Sequence, residues 1–241
     1  MTTNIVMIPA RRGHSNHAEV ARTIAIDIIK GRYAEGAKLP GEPELLVLFG
    51  VSRPVLRESV KTLVAKGLLS TKARVGTVVR ERAMWNMFDP DVMAWHLDAG
   101  IDKRFLRDLA DIRLAVEPRA AALAAERRSE TDLAQMQAAI RQMHLAVKGE
   151  GAGFADADLR LHLLIAKASG NQFMRSIGAV IEAALRASFV LSEPVDDRDY
   201  QITVAAHERI VECIADRDSE AASAAMTNVI FNGLRRHGAV G

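Results

Sequence analysis

The sequence predicts a mainly α protein in two parts, an N-terminal winged helix-turn-helix followed by a C-terminal all-α helical bundle. Three observations carry that expectation. Aromatics make up 5% of the 241 residues while Ala, Leu, Val and Ile are abundant, which favours helix-on-helix packing over a β-sandwich. Apolar residues recur at helical spacing along most of the chain, interrupted near residues 68–80 by two short β-prone pieces. Charge is unevenly shared: residues 1–82 carry 14 Lys+Arg against 7 Asp+Glu, a net of +7, whereas the remainder carries 18 against 23, a net of −5. A basic module on an acidic body suits a polyanion partner for the first part and a different task for the second.

Composition also narrows the setting. Cys213 is the single cysteine, so no intramolecular disulfide can form and a reducing compartment is expected. No run of about twenty apolar residues exists, and Met1 to Ser15 lacks the apolar centre of a signal peptide. The expectation is a cytoplasmic protein with no membrane partner.

Residues 1–15 contain Arg11, Arg12 and His14 without periodicity and read as a flexible arm. Residues 16–82 then follow as the candidate DNA-binding module. From His17 to Lys30, Val20, Ile24, Ile28 and Ile29 form one helical stripe, which Gly31 is placed to end. Residues 39–69 read as two short helices joined by a tight turn. Leu45, Leu46 and Leu48 supply apolar positions in the first, and Gly50 stands at the turn. Ser52 is placed to cap the second helix with its hydroxyl, and Pro54 falls where a missing N–H costs little. Val55, Leu56, Val60, Leu63 and Val64 keep a helical apolar period while Arg53 and Arg57 share the opposite face. Two guanidinium forks on a short helix with an apolar back suit a major-groove reader; an αα-hairpin with a solvated basic face is the alternative. Gly67 ends the period. The pieces Leu68 to Lys72 and Thr77 to Arg80, with Ala73-Arg74-Val75-Gly76 between them, then form a basic hairpin placed as a wing.

The set Leu39-Pro40, Glu42, Glu44-Leu45, Gly50-Val51-Ser52-Arg53, Leu56-Arg57-Glu58, Leu63, Gly67-Leu68 and Gly76-Thr77 resembles the winged helix-turn-helix of the GntR family of bacterial transcription regulators. The resemblance implies double-stranded operator DNA as partner, with Ser52, Arg53, Arg57 and Lys61 on the second helix and Arg74 and Gly76 on the wing as candidate contacts. Family members often carry an Arg that meets DNA where this chain has Pro43, so part of the usual contact set is missing and Arg53 and Arg57 must carry more of the recognition.

Residues 83–100 read as a docked linker helix. Trp85, Met87 and Phe88 are apolar enough to pack, and Asp89-Pro90 can start a helix holding Val92, Met93, Trp95 and Leu97. Trp85-Asn86, Asp89-Pro90-Asp91-Val92 and Trp95 resemble the linker of FadR-type members that respond to sugar acids, although packing suffices to explain both tryptophans.

Residues 101–237 form the expected bundle, for effector binding and dimerisation. Helical periods run through Phe105 to Arg127, Thr131 to Lys148, Phe154 to Ala168, Gln172 to Leu191, Tyr200 to Ala215 and Ser219 to Arg236, giving about six helices. Ser129 and the acidic Glu130 and Asp132 supply a cap and first turn. Polar residues punctuate the apolar faces. Arg113 and Glu117 lie one turn apart, Asp158 and His162 share a face at four-residue spacing, and His207 begins another apolar turn. Asp158, His162 and His207 could hold a divalent transition metal, could hydrogen-bond a polyhydroxylated acid, or could be satisfied core groups.

Arg113…Glu117, Asp158-x-x-x-His162, Asn171 and His207-Glu208 resemble the FCD ligand-binding domain of the FadR subfamily over roughly residues 102–236. In metal-binding members the site uses the Asp, both His and a third His on the last helix, where this chain has Val229. The regulators that answer galactonate also lack that His, so the sugar-acid branch is the nearest. The resemblance implies an aldonate-type effector whose carboxylate pairs with Arg113, while Asp158, His162 and His207 take hydroxyls directly or through a metal such as zinc. Arg186, Asn232 and Arg236 are added as candidate effector contacts. The expected function is a homodimeric repressor of sugar-acid catabolism genes, not an enzyme. The alternatives are a regulator answering a metal or another organic acid such as lactate or citrate, and a metal-dependent enzyme built on the same three residues.

Overall fold

The computed structural model describes residues 17–101, 103–150, 153–192 and 197–236, so the arm over residues 1–15 lies outside the described residues. The chain divides after Gly100 into two compact units. The first holds α1 (His17–Ile29), α2 (Glu42–Phe49), α3 (Arg53–Ala65), β1 (Leu69–Lys72), β2 (Gly76–Val79), a 3₁₀ turn (Arg82–Met84) and α4 (Pro90–Ala99).

Burial follows the apolar stripes. Val20, Ile24 and Ile28 of α1 pack against α3 and α4, and Leu45, Leu56, Leu63, Leu69, Val79, Trp85, Val92 and Trp95 complete the core. Gly50 adopts φ 63°, ψ 33° and its N–H returns to the carbonyl of Leu46, ending α2 in the left-handed conformation that glycine adopts at no steric cost. Gly67 is required more strictly, because at φ +84° a Cβ there would stand 2.3 Å from the Met84 carbonyl oxygen. The hairpin is antiparallel with Leu69 opposite Val79 and Lys72 opposite Gly76. Residues 37–39 add a short third edge: Leu39 N–H donates to Thr77, Val79 N–H donates to Ala37, and Lys38 bridges Val78.

Three local expectations differ from the structure. Ser52 holds the extended backbone of an N-cap (φ −77°, ψ 157°), but its hydroxyl makes no capping bond. An exposed hydroxyl already hydrated there gains little from the helix N–H groups. Leu48 and Phe88 are each 58% exposed, since the core is filled from Leu45 on α2 and from Trp85 and Trp95 around the linker. In the linker Asp89 does cap α4, accepting from the N–H groups of Asp91 and Val92.

The second unit contains α5 (Lys103–Arg127), α6 (Glu130–Val147), α7 (Phe154–Ala168), α8 (Gln172–Ser176), α9 (Gly178–Ser192), α10 (Asp197–Ala215) and α11 (Ser219–Arg236). Helix α5 runs through Pro118 and lies against α7, α9, α10 and α11. Its neighbours close over Met136, Met143, Leu161, Ile165, Ile210, Ile214 and Met226, all at most 1% exposed. Ser129 opens α6 with a capping box, its hydroxyl taking the Asp132 N–H while Asp132 takes the Ser129 N–H. The single helix expected over Gln172 to Leu191 is instead two. Asn171 caps α8 with its side chain, and the chain restarts at Gly178, where a Cβ would stand 3.1 Å from Leu163 Cδ2. Close approach of α9 to α7 therefore sets the break, a packing event that periodicity cannot report.

Candidate DNA interface and effector centre

The first unit presents a basic face. Arg53 and Arg57, with side chains 71% and 67% exposed, lie one turn apart on α3. Glu42 at the start of α2 reaches both, 3.5 Å from Arg53 Nε and 3.9 Å from Arg57 Nε. Pro43 follows Glu42 and adds no donor. Ser52 is exposed at the same end of α3, so its hydroxyl faces solvent. Lys61 pairs with Glu58 at 2.7 Å farther along the helix. Arg74 sits at the hairpin tip with φ 64°, and Gly76 follows at φ 106°. Ser52, Arg53 and Arg57 therefore cluster at one end of α3, while Arg74 and Gly76 belong to the separate wing surface. Sequence reasoning missed Glu42, whose role depends on how α2 crosses α3.

The second unit buries a cluster of polar and charged side chains. Arg113, Glu117, Asp158, His162 and His207 are each at most 8% exposed. The four-residue spacing of Arg113 and Glu117 puts them on one face of α5, where Arg113 Nε donates to Glu117 Oε1. The other Glu117 oxygen takes His162 Nδ1 from α7. Burial pushes Glu117 upward, but the charges of Arg113 and His162 outweigh it and hold the carboxyl down to about 2. Glu117 is therefore an anion, so His162 Nδ1 donates to it and Nε2 is the atom turned inward. On α10, His207 Nδ1 donates to the Thr203 carbonyl at 2.7 Å, which likewise leaves Nε2 as the inward atom.

These two nitrogens face Asp158. His207 Nε2 is 2.8 Å and His162 Nε2 3.7 Å from Asp158 Oδ1, and the imidazole rings stand edge to face with centroids 5.5 Å apart. The 2.8 Å approach is an ion-pair contact, and beyond it Asp158 Oδ1, His162 Nε2 and His207 Nε2 are buried with no hydrogen-bond partner. Lone pairs that converge in a dry interior repel unless something positive lies between them. A proton can do this. Burial lowers His207, yet Asp158 raises it beyond that loss; burial likewise raises Asp158, and His207 brings it back below its ordinary value. A metal ion can do it as well, because the three ligand atoms lie within 4.8 Å of one another and Glu117 and Thr203 fix the imidazole tautomers from behind. The donor set thus fits a divalent ion with part of its shell open, and Val229 on α11 is an apolar core residue that offers no fourth ligand.

Arg113 supplies the remaining signal. Its Nη2 is buried without a partner, and it borders a void of ≈ 20 Å³ shared with Leu106, Leu109, Ala184, Ile230 and Leu234. Two of the other candidates have partners on their own helices. Arg186 is exposed and pairs with Glu182 on its own helix at 2.9 Å. Asn232 is half-buried and accepts from Arg235 at 2.6 Å. The side chain of Arg236 lies outside the described residues. Glu117 was visible in the sequence as half of an i, i+4 pair, but its bridging role required α7 to bring His162 beside it.

Residues 108–232 match the FCD domain, and residues 16–79 match the family described as bacterial regulatory proteins, gntR family. The chain is 32% identical over 214 residues to the galactonate operon transcriptional repressor of Escherichia coli, spanning 89% of this chain and 93% of that one. A second Escherichia coli relative, named for regulation of an L-lactate dehydrogenase operon, is 31% identical over 219 residues, 86% of this chain and 81% of its own. The solved structure of Lar, described as controlling expression of the Listeria monocytogenes agr system, superposes with a TM-score of 0.67 at 19% identity over 96% of this chain and 100% of that one. At that identity the likeness speaks for the fold.

Proposed function

Because this chain belongs to the GntR family of bacterial transcription regulators and carries the FCD domain, we propose that it is a homodimeric repressor of sugar-acid catabolism genes, released from its operator by an aldonate of the galactonate type. The observation that supports this reading most directly is the buried convergence of Asp158 Oδ1, His162 Nε2 and His207 Nε2 in a unit where Arg113 Nη2 also lacks a partner. A 2-hydroxy acid offers matching groups: a carboxylate for the guanidinium and hydroxyls for the imidazoles and Asp158. A divalent ion held by Asp158, His162 and His207 would supply positive charge to the acid's oxygens. The likeness to a galactonate operon repressor supports the same class of effector.

For release, the acid must bind the DNA-incompetent arrangement more tightly than the competent one, since equal binding shifts nothing. The void beside Arg113, ≈ 20 Å³, has room for about one water-sized group, so an aldonate must part the side chains around it. The short reading helix supports homodimerisation: one such helix reads few base pairs, and a second copy on a palindrome would supply the missing specificity. The test is affinity for an operator recovered by in vitro selection, with and without D-galactonate and related aldonates. Affinity unchanged by every aldonate removes the sugar-acid assignment and leaves the DNA-binding one in place.

One observation favours a second reading. Apart from Arg113, the named residues around the void are apolar, which suits a shorter hydroxy acid such as lactate, the chemistry for which one relative is named. Release by lactate without release by aldonates selects that reading.

A further inference from the structure

We propose that Lys38 and Lys72 form a phosphate-binding site on the face of the wing, held open by Gly76, in addition to the helix and wing-tip contacts named above. The proposal rests on the assignment of the first unit as a DNA-binding module. Residues 37–39 lie beside β2 with Lys38 opposite Val78, and on the other side β1 places Ser70 opposite Val78 and Lys72 opposite Gly76. Side chains two residues apart on a strand share a face, so Lys38, Val78, Ser70, Gly76 and Lys72 lie on one side of this small sheet. Val78 is 9% exposed although it points away from the core face that carries Leu69 and Val79. The aliphatic stem of Lys38 stands next to it in the register and covers it while carrying the ammonium outward.

Gly76 shows where that ammonium goes. A Cβ at this position would stand 2.8 Å from Lys38 Cε and 3.5 Å from Lys38 Nζ, so the end of the lysine passes directly over the glycine. Any larger residue would displace it. Lys72 is the cross-strand partner of Gly76, which brings two ammonium groups to one patch, with Arg74 on the adjoining tip. Among the described residues no acidic side chain pairs with Lys38, Lys72 or Arg74, whereas Arg53, Arg57 and Lys61 on α3 all have carboxylates within 4 Å. Like charges placed together without a counter-ion are destabilising in the free protein, and a phosphate oxygen between them removes that repulsion.

The experiment is the salt dependence of binding of the full chain to a short random-sequence DNA duplex, which needs no knowledge of the operator. Each phosphate contact contributes about 0.9 to the slope of log K against log salt. Lys38→Met keeps the stem over Val78 and Gly76 but removes the charge; its slope should fall by about 0.9, the double variant Lys38→Met, Lys72→Met by about 1.8, and Lys38→Arg should keep the wild-type slope. A wild-type slope in Lys38→Met overturns the proposal. Should Lys38→Met not fold, Lys72→Met decides in the same way, because Lys72 is exposed. Wild-type protein that does not bind the duplex at low salt would instead remove the DNA-binding assignment itself.

Discussion

Lys66 Nζ stands 2.7 and 2.8 Å from the two carboxylate oxygens of Asp89, joining the last turn of the reading helix to the first turn of the linker helix. Asp91 adds an oxygen at 2.8 Å, and the ammonium lies 5.7 Å from the centre of the Trp95 ring. Asp89 also caps α4, so one carboxylate fixes the start of one helix and the end of another. Replacing Lys66 by Met should lower stability by roughly 1.5–3 kcal/mol, the range for hydrogen bonds to charged groups. Asp89→Asn should cost less, because Asn caps nearly as well as Asp. Urea unfolding measures both, and a Lys66→Met midpoint equal to wild type would show that water replaces the clasp.

The same clasp gives stability a sign at high pH. Burial lowers Lys66, but its hydrogen bonds and attraction to Asp89 and Asp91 more than compensate and leave it raised. A group raised on folding contributes stability that is fully present below its unfolded value and disappears as pH climbs through the folded one. Wild type should therefore lose stability above about pH 10 more steeply than Lys66→Met. Parallel melting curves for the two proteins between neutral and alkaline pH would contradict this.

Arg57→Ala should abolish discrimination between operator and random DNA while leaving effector binding unchanged, since the two lie in different units. A bidentate arginine contact is worth about 1–3 kcal/mol of base discrimination. Glu42→Gln should act in the opposite sense on random DNA, freeing Arg53 and Arg57 from a carboxylate at 3.5 and 3.9 Å and raising non-specific affinity a few-fold. Competition binding with operator and scrambled duplexes separates the two effects. Loss of both DNA and effector binding in Arg57→Ala would mark misfolding.

Zinc should raise the melting temperature of wild type, and a chelator should return it to the starting value. At a free ion concentration of 100 times Kd the gain is about 2.7 kcal/mol. His207→Ala should lose most of this response, because two ligands cannot hold the ion as three do. Glu117→Gln should weaken it less, by disturbing the His162 tautomer from behind. An undiminished zinc shift in His207→Ala would place the ion elsewhere.

Ser129→Ala should cost about 1 kcal/mol by removing the hydroxyl that caps α6. Asp132 is held below its ordinary value first by the Ser129 side chain, so this stabilisation is present above the unfolded Asp value and fades as pH falls through the lower folded one. The gap between wild type and variant should therefore narrow in acid, as acid-range urea titrations would reveal; a constant gap would leave Asp132 without a part in the cap.

By itself the sequence determined the mainly α composition, the two-part charge division, the helix-turn-wing order and most of the helices. These features are local: apolar spacing, capping residues and glycine positions act within a few residues of one another, as at Gly50, Asp89 and Ser129. Arg113, Asp158, His162 and His207 were also legible, because a polar side chain inside an apolar stripe is conspicuous without knowledge of its neighbours. Tertiary structure alone decided what those side chains face. Whether Glu117 serves Arg113 or His162, whether Arg186 turns inward, where α9 must break from α8 and which lysines share the wing face all depend on contacts between residues far apart in the chain. Burial then gives such contacts their weight: a carboxylate that would lose a charge-pair energy to water at the surface becomes, in the dry interior, the group that orients an imidazole and turns its Nε2 toward Asp158.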